Sequence, residues 1–381
     1  MDFTKLYRGQ VLRMGFTTGS CATAAAKAAA IKLLCGREEN KVTIKTPQNI
    51  DLNLAIHSLK VDAGRVIASV IKDAGDDPDI TDGMEIIATV SKIAEGVEFA
   101  RGEGVGLVTK PGLDQGVGEP AINSGPRQMI KMALKEVCEE AGYEGGLRVE
   151  ISVPGGEKVA AKTFNPRLGI EGGISIIGTT GIVEPMSNQA LIDTIALEIR
   201  QLALKGAKDI LLISGNYSAE FLKDELKLDQ SQVVVCSNFV RDSIELAMKE
   251  GFQRILLIGH IGKFVKLGIG MPNTHSENGD GRIETLLKAA LLAGAQRELL
   301  LQISGAVTTD ALLYHLRDAG LLEATMQELS KAISYHLDRM VPDQIELGFL
   351  IFTKKEGLPS MLIRSQVAEE ILASLEEEYL N

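Results

Sequence analysis

At 381 residues the chain exceeds one ordinary core, so two domains, conceivably three, are expected, and 45% hydrophobic residues are ample for globular folding. Its 40 basic and 51 acidic side chains leave a net charge of −11, and only 4% of residues are aromatic, none of them tryptophan. That balance excludes a general nucleic-acid binder, which needs a positive field and stacking platforms.

The opening segment "MDFTKLYRGQVLRM" has no apolar leader, and no run approaches the ~18 apolar residues of a membrane span. The four cysteines, Cys21, Cys35, Cys138 and Cys236, are widely separated, which speaks against a zinc site or a disulfide framework. A reducing, cytoplasmic setting with no membrane partner is therefore expected. Residues 1–45 run against the overall charge, with eight basic side chains to three acidic ones, so an anionic ligand is favoured there.

"MGFTTGSCATAAAKAAAIKLLCG" (residues 14–36) predicts a helix. Alanine loses no side-chain entropy on becoming helical, Thr18 or Ser20 can cap the start, and Gly36 can close the end. A polar, glycine-bearing helix start also attracts anions. Short strand-like runs follow: "KVTIKT", "RVIASVIKDAG", "MEIIATVSKI" and "LRVEISVPGG", with a helix over "GPRQMIKMALKEVCEEAG" between the last two. From residue 186 the pattern changes. Helices alternate with runs apolar on both faces, "DILLIS", "QVVVCS", "RILLIG" and "IELGFLIFT", as a parallel sheet covered on both sides requires. The expected division is therefore 1–185, α+β, and 186–381, α/β with a mostly parallel sheet.

Four further stretches are unusually polar and rich in glycine: "KDAGDDPDITDG", "GVGLVTKPGLDQGVGEPAINSGPR", "NPRLGIEGGISIIGTTGIVEPMS" and "GHIGKFVKLGIGMPNTHS". Together with residues 14–36, and in this order, they resemble the cobalt-precorrin-5B C1-methyltransferase family of anaerobic cobalamin biosynthesis. One departure is "INSGPR", where Ser124 stands at a position the family fills with proline. The resemblance implies transfer of a methyl group from S-adenosylmethionine to ring carbon C1 of a cobalt-carrying tetrapyrrole, giving cobalt-precorrin-6A. It also implies a first domain like a permuted ribosomal-protein-S5 domain 2. No protein-bound metal is implied, because the cobalt arrives inside the substrate.

The residues fit that chemistry as follows. Ligands of parallel sheets lie outside the carboxyl ends of the strands, so Ser214, Gly215, Asn216, Gly259 and Gly262 are the expected cofactor contacts, although no G-x-G-x-x-G fingerprint is present. A polycarboxylate substrate calls for Arg13, Thr17, Thr18, Gly19, Ser20, Lys27, Arg127, Arg167 and Lys263, with Lys266 nearby. Proton movement after methylation suits His260, His275 or Asp76, the last within an acidic loop that lacks EF-hand spacing. Cys21 is read as a packing residue. Two other classes stay open from the residues alone: a non-catalytic tetrapyrrole carrier and a small-molecule kinase on an S5-like fold. Homo-oligomerisation and contact with other enzymes of the pathway are left open too.

Overall fold

The computed structural model describes residues 3–228 and 232–380. The chain divides into two compact units, Met1–Asn188 and Gln189–Asn381.

The first unit runs β1 (Thr4–Tyr7), β2 (Gln10–Arg13), β3 (Gly15–Phe16), α1 (Thr18–Cys35), β4 (Lys41–Lys45), β5 (Asp51–Ala55), β6 (Ser58–Asp62), β7 (Arg65–Ile71), β8 (Glu85–Ile93), β9 (Val97–Arg101), β10 (Leu107–Val108), α2 (Ser124–Ala141), β11 (Gly146–Ser152), α3 (Gly156–Ala160), β12 (Ile170–Glu171) and β13 (Ile182–Val183). Its main sheet has the order β6-β7-β8-β11-β9, antiparallel except where β11 lies parallel to β9. Helix α1 packs against α2, β7 and β8. Its alanines 22, 24, 25, 26, 28, 29 and 30 are wholly buried, and their small side chains let this helix sit in the middle of the unit. Thr17, one residue earlier than expected, is its N-cap and accepts from the Ser20 amide; Gly36 closes it at φ 75°.

Just before α1 the chain lies hard against the acidic loop. Phe16 N–H donates to the Asp73 carbonyl at 2.7 Å, and Asp76 N–H to the Arg13 carbonyl at 2.8 Å. A Cβ on Gly15 would stand 2.1 Å from the Ala74 carbonyl carbon, and one on Gly75 would stand 2.2 Å from the Arg13 oxygen. Only glycines allow this approach.

The second unit follows α4 (Asn188–Leu204) with β14 (Asp209–Ile213), α5 (Asn216–Phe221), a π-helical turn, β15 (Val233–Val235), α6 (Val240–Lys249), β16 (Arg254–His260), α7 (Ile261–Phe264), α8 (Arg282–Leu292), α9 (Arg297–Ser304), α10 (Thr309–Asp318), α11 (Leu322–Asp338), β17 (Glu346–Phe352), β18 (Met361–Arg364) and α12 (Gln366–Leu380). The sheet order is β15-β14-β16-β17-β18, parallel apart from the antiparallel edge strand β18. Successive strand residues feed two cores. Ile210, Leu212, Ile255 and Leu257 face one, and Leu211, Ile213, Leu256 and Ile258 face the other, packed with residues of α12. That division accounts for strands with no polar face. Among the described residues no helix is long and apolar enough to cross a membrane.

Candidate functional site

In the second unit the chain leaves β14 for β15 on one side and returns to β16 on the other, so the strand order reverses between β14 and β16. At such a reversal two connections diverge and leave a crevice outside the carboxyl ends. Ser214, Gly215 and Asn216 follow β14 here, and Gly259, His260, Gly262 and Lys263 lie at the end of β16 or just beyond it. The topology thus brings the expected cofactor contacts to one edge.

The details are those of a built edge. Gly215 has φ 130° and ψ −168°, a conformation essentially open only to glycine, and a Cβ there would meet no atom within 4 Å. Buried Ser214 turns its hydroxyl to Ser218 at 3.3 Å. Lys263 donates from Nζ to the Ser214 carbonyl at 3.0 Å, and its burial pulls the ammonium below its usual pKa. A Cβ on Gly259 would collide with the Phe264 ring at 2.5 Å. Beyond the end of β17 lies a cleft of ≈ 300 Å³ lined by Phe221, Glu220, Thr353, Lys354, Leu358 and Ser360 among others.

Both candidate histidines are helix caps. His260 Nδ1 accepts the Gly262 amide at 3.1 Å, and His275 Nδ1 accepts the Glu277 amide at 3.2 Å. An amide donating to His260 Nδ1 places that ring's proton on Nε2, whereas His275 Nδ1 also lies 3.5 Å from Glu277 Oε2. Burial lowers the His260 pKa, with the charge of Asp310 opposing. His275 sits in a loop tied to the end of β15 through the bond from Thr274 N–H to the Asn238 carbonyl, 3.0 Å, and buried Lys266 donates to the carbonyls of Thr274 and Gly279 in the same loop.

In the first unit most of the expected substrate contacts are committed to the protein itself. Gly19 N–H donates to the Ile177 carbonyl, Thr18 Oγ1 accepts the Ile177 amide, and Ser20 Oγ donates to the Gly181 carbonyl at 2.6 Å. Thr17, Thr18, Gly19 and Ser20 therefore clamp the 177–181 segment and are not an open anion site. Arg13 places its guanidinium on both oxygens of Asp73, at 2.6 and 2.9 Å. Lys27 joins the Thr43 carbonyl to Glu136, and Arg127 joins the carbonyls of Ile122 and Pro120 to Glu119. Asp76 accepts the Arg13 amide at 2.6 Å, as a pin for the strap before α1. Arg167 is exposed in the loop after α3.

The other aspartates of the acidic loop behave alike. Asp79 accepts Lys72 Nζ and the Thr81 amide and hydroxyl, Asp82 accepts the Ala74 amide, and Asp77 accepts the Met186 amide. Of these, the bonds to Thr81 are Asx-type turn bonding, and the others reach across the loop or beyond it; among the described residues no group of three or more His, Cys, Asp or Glu side chains is placed to hold a metal.

Burial pushes the thiols of Cys21 and Cys236 up to about 12. Iodoacetamide at pH 8 is accordingly expected to modify partly exposed Cys35 at least ~100-fold faster than either buried thiol, read by peptide mass spectrometry on the folded protein. Rapid labelling of Cys21 would mean that the start of α1 is open.

Sequence reasoning missed the aromatic residues beside this edge. Tyr217, in the first turn of α5, and Phe352, at the end of β17, both flank the His260 ring. They belong to no motif, and only the strand order brings them together.

Comparison with known proteins agrees across both units. A family model described as CbiD matches residues 5–185, and one described as CbiD, C-terminal domain, matches residues 273–361. The chain is 45% identical over 345 residues to the cobalt-precorrin-5B C(1)-methyltransferase of Ruminiclostridium cellulolyticum, covering 91% of this chain and 90% of that one. It is 43% identical over 361 residues to the protein of the same name from Alkaliphilus oremlandii, covering 94% and 99%. A crystal structure of the cobalamin biosynthesis protein (cbiD) from Archaeoglobus fulgidus is 29% identical, with a TM-score of 0.39, covering 72% of this chain and 86% of that one. Matched from the strap before α1 to the last strands of the second unit, the chain belongs to the CbiD family of cobalt-precorrin-5B C(1)-methyltransferases.

Proposed function

We propose that this protein methylates carbon C1 of cobalt-precorrin-5B, using S-adenosylmethionine, to give cobalt-precorrin-6A in anaerobic cobalamin biosynthesis. The observation that carries this reading is likeness to enzymes of that name along 91% of the chain. S-adenosylmethionine supplies an electrophilic methyl group: the sulfonium C–S bond breaks, a C–C bond to the ring forms, and S-adenosylhomocysteine leaves.

For the cofactor we assign the second unit, at the edge formed by Ser214, Gly215, Asn216, Gly259 and Gly262. Three features support this: the strand-order reversal, the open space at Gly215, and the polar backbone at both strand ends. Lys263 holds the Ser214 carbonyl in place there. For the tetrapyrrole we assign the loops of the first unit, where exposed Arg167 and the exposed apolar side chains of Val117, Phe164 and Ile177 suit a flat macrocycle edged with carboxylates. We read the first unit as a permuted S5-domain-2-like fold, a reading supported by the β9-α2-β11 parallel crossover added to an antiparallel meander.

The ring carbon is already nucleophilic, so the protein's task is to align the two reactants and exclude water, and no side-chain nucleophile is required. Anaerobic incubation with cobalt-precorrin-5B and methyl-labelled S-adenosylmethionine is expected to place one labelled methyl on the tetrapyrrole, read by mass spectrometry. Tetrapyrrole binding without transfer would instead identify a carrier.

A further inference from the structure

The edge of the second unit carries a row of rings that the reaction as described does not use. Phe221 stacks on Phe352, centroids 4.3 Å apart and 14° between planes; Phe352 meets His260 edge-on at 5.5 Å; and Tyr217 lies 6.2 Å beyond His260, tilted by 44°. The row begins buried and ends exposed: Phe221 is 2% exposed and Tyr217 65%. A large exposed aromatic side chain is an unfavourable thing to leave in water, and this chain has few aromatics to spend. Lys354 stands 5.4 Å from the Tyr217 centroid and pairs with Glu220 one turn along the same helix, so the ring is braced as well as exposed.

Beside it, His260 is held by two neighbours. The Gly262 amide fixes Nδ1 as an acceptor, and Phe352 packs against the ring, so the proton sits on Nε2, an N–H with no protein partner among the described residues. A flat apolar face and one fixed N–H donor, side by side at the strand-order reversal, together ask for a planar heteroaromatic ligand with an acceptor nitrogen in its ring plane. Adenine is such a group, and a carboxylate or an aliphatic chain uses only half of the arrangement.

We propose that Tyr217 and His260 form the purine seat of the methyl donor, with the adenine stacked on Tyr217 and one ring nitrogen accepting the Nε2 proton of His260. This rests on the reading that S-adenosylmethionine binds the second unit. Both residues are binding residues, and neither takes part in the transfer itself.

Calorimetric titration of the full-length protein with S-adenosylhomocysteine tests it. Tyr217→Ala is expected to weaken binding about tenfold, in line with the usual worth of an aromatic platform under a base, while Tyr217→Phe stays within about twofold. His260→Asn can still cap α7 through its amide oxygen but lacks the distal N–H, and is expected to weaken binding about fivefold. Melting temperatures of all three variants should match the wild type, which separates loss of the seat from loss of the fold. Wild-type binding that Tyr217→Ala leaves unchanged would overturn the purine seat alone. Failure of the wild type to bind S-adenosylhomocysteine would overturn the cofactor reading and the seat with it.

Discussion

Gly15→Ala is expected to destabilise the first unit by about 3 kcal/mol or more, the upper range for overpacking, because the displaced atoms are backbone and cannot rotate away. The new methyl would sit 2.1 Å from the carbonyl carbon of Ala74, inside the strap that leads into α1. Relieving the clash means parting residues 13–16 from the acidic loop, and with them the Arg13–Asp73 fork and the Phe16–Asp73 bond. Gly36→Ala is the control. Its φ of 75° is a left-handed conformation that Gly15 does not share, but its Cβ would meet nothing, so it should cost only about 1 kcal/mol. Urea unfolding followed by far-UV circular dichroism separates the two, and equal midpoints would show that the close approach is not maintained in solution.

Asp79→Ala is the second large effect. Lys72 is among the largest fully buried side chains in the protein, and its ammonium is 2.6 Å from Asp79. Removing the carboxylate leaves a cation with its partner gone, an outcome worth about 3–5 kcal/mol of lost stability. The Lys72→Met, Asp79→Leu double variant should recover much of that loss, since no charge then remains buried. If the single and double variants melt together, the pair carries no specific weight.

The same pair gives stability a pH dependence. Burial alone raises the Asp79 pKa, but the hydrogen bonds from Lys72 and Thr81 outweigh it and leave the group lowered; Asp73 is lowered chiefly by its bond from Arg13. A carboxylate lowered in the folded state contributes stability that is fully present above its unfolded pKa, near 3.9, and is lost as pH falls through the folded value. Melting temperature should therefore hold from about pH 7 to about pH 5 and drop below about pH 4. Asp79→Ala should remove part of that drop.

Much of the second unit was legible because its strands are apolar on both faces and its helices stop at glycines, patterns that periodicity detects directly. The end of α1 at Gly36 was legible for the same local reason. Pairings distant in sequence were not. Nothing near Arg13 announces Asp73, sixty residues away, or shows that Ser20 would give its hydroxyl to Gly181. The polar start of α1 therefore reads as an anion site, whereas the chain itself supplies the acceptors. The capping role of His260 is hidden for a different reason: imidazole is an uncommon helix cap, so a ring at a strand end suggests acid–base chemistry, while in the structure the Gly262 amide occupies its Nδ1. The aromatic edge was invisible because Tyr217 and Phe352 are 135 positions apart and meet only through strand order.

The clamp on α1 sets an order of events in time. Helix α1 leaves a ribosome well ahead of the carbonyls that its first turn holds, those of Ile177 and Gly181, which are 159 to 164 residues further along. At about 5–20 residues per second, roughly 8–30 s separate the two. For most of that interval β7, β8 and the acidic loop are already made, but the start of the helix still lacks the 177–181 segment that it clamps, and long-range closure of this kind is the slow part of folding. The first turn of α1 is thus secured long after it is made, by one of the later segments of the first unit.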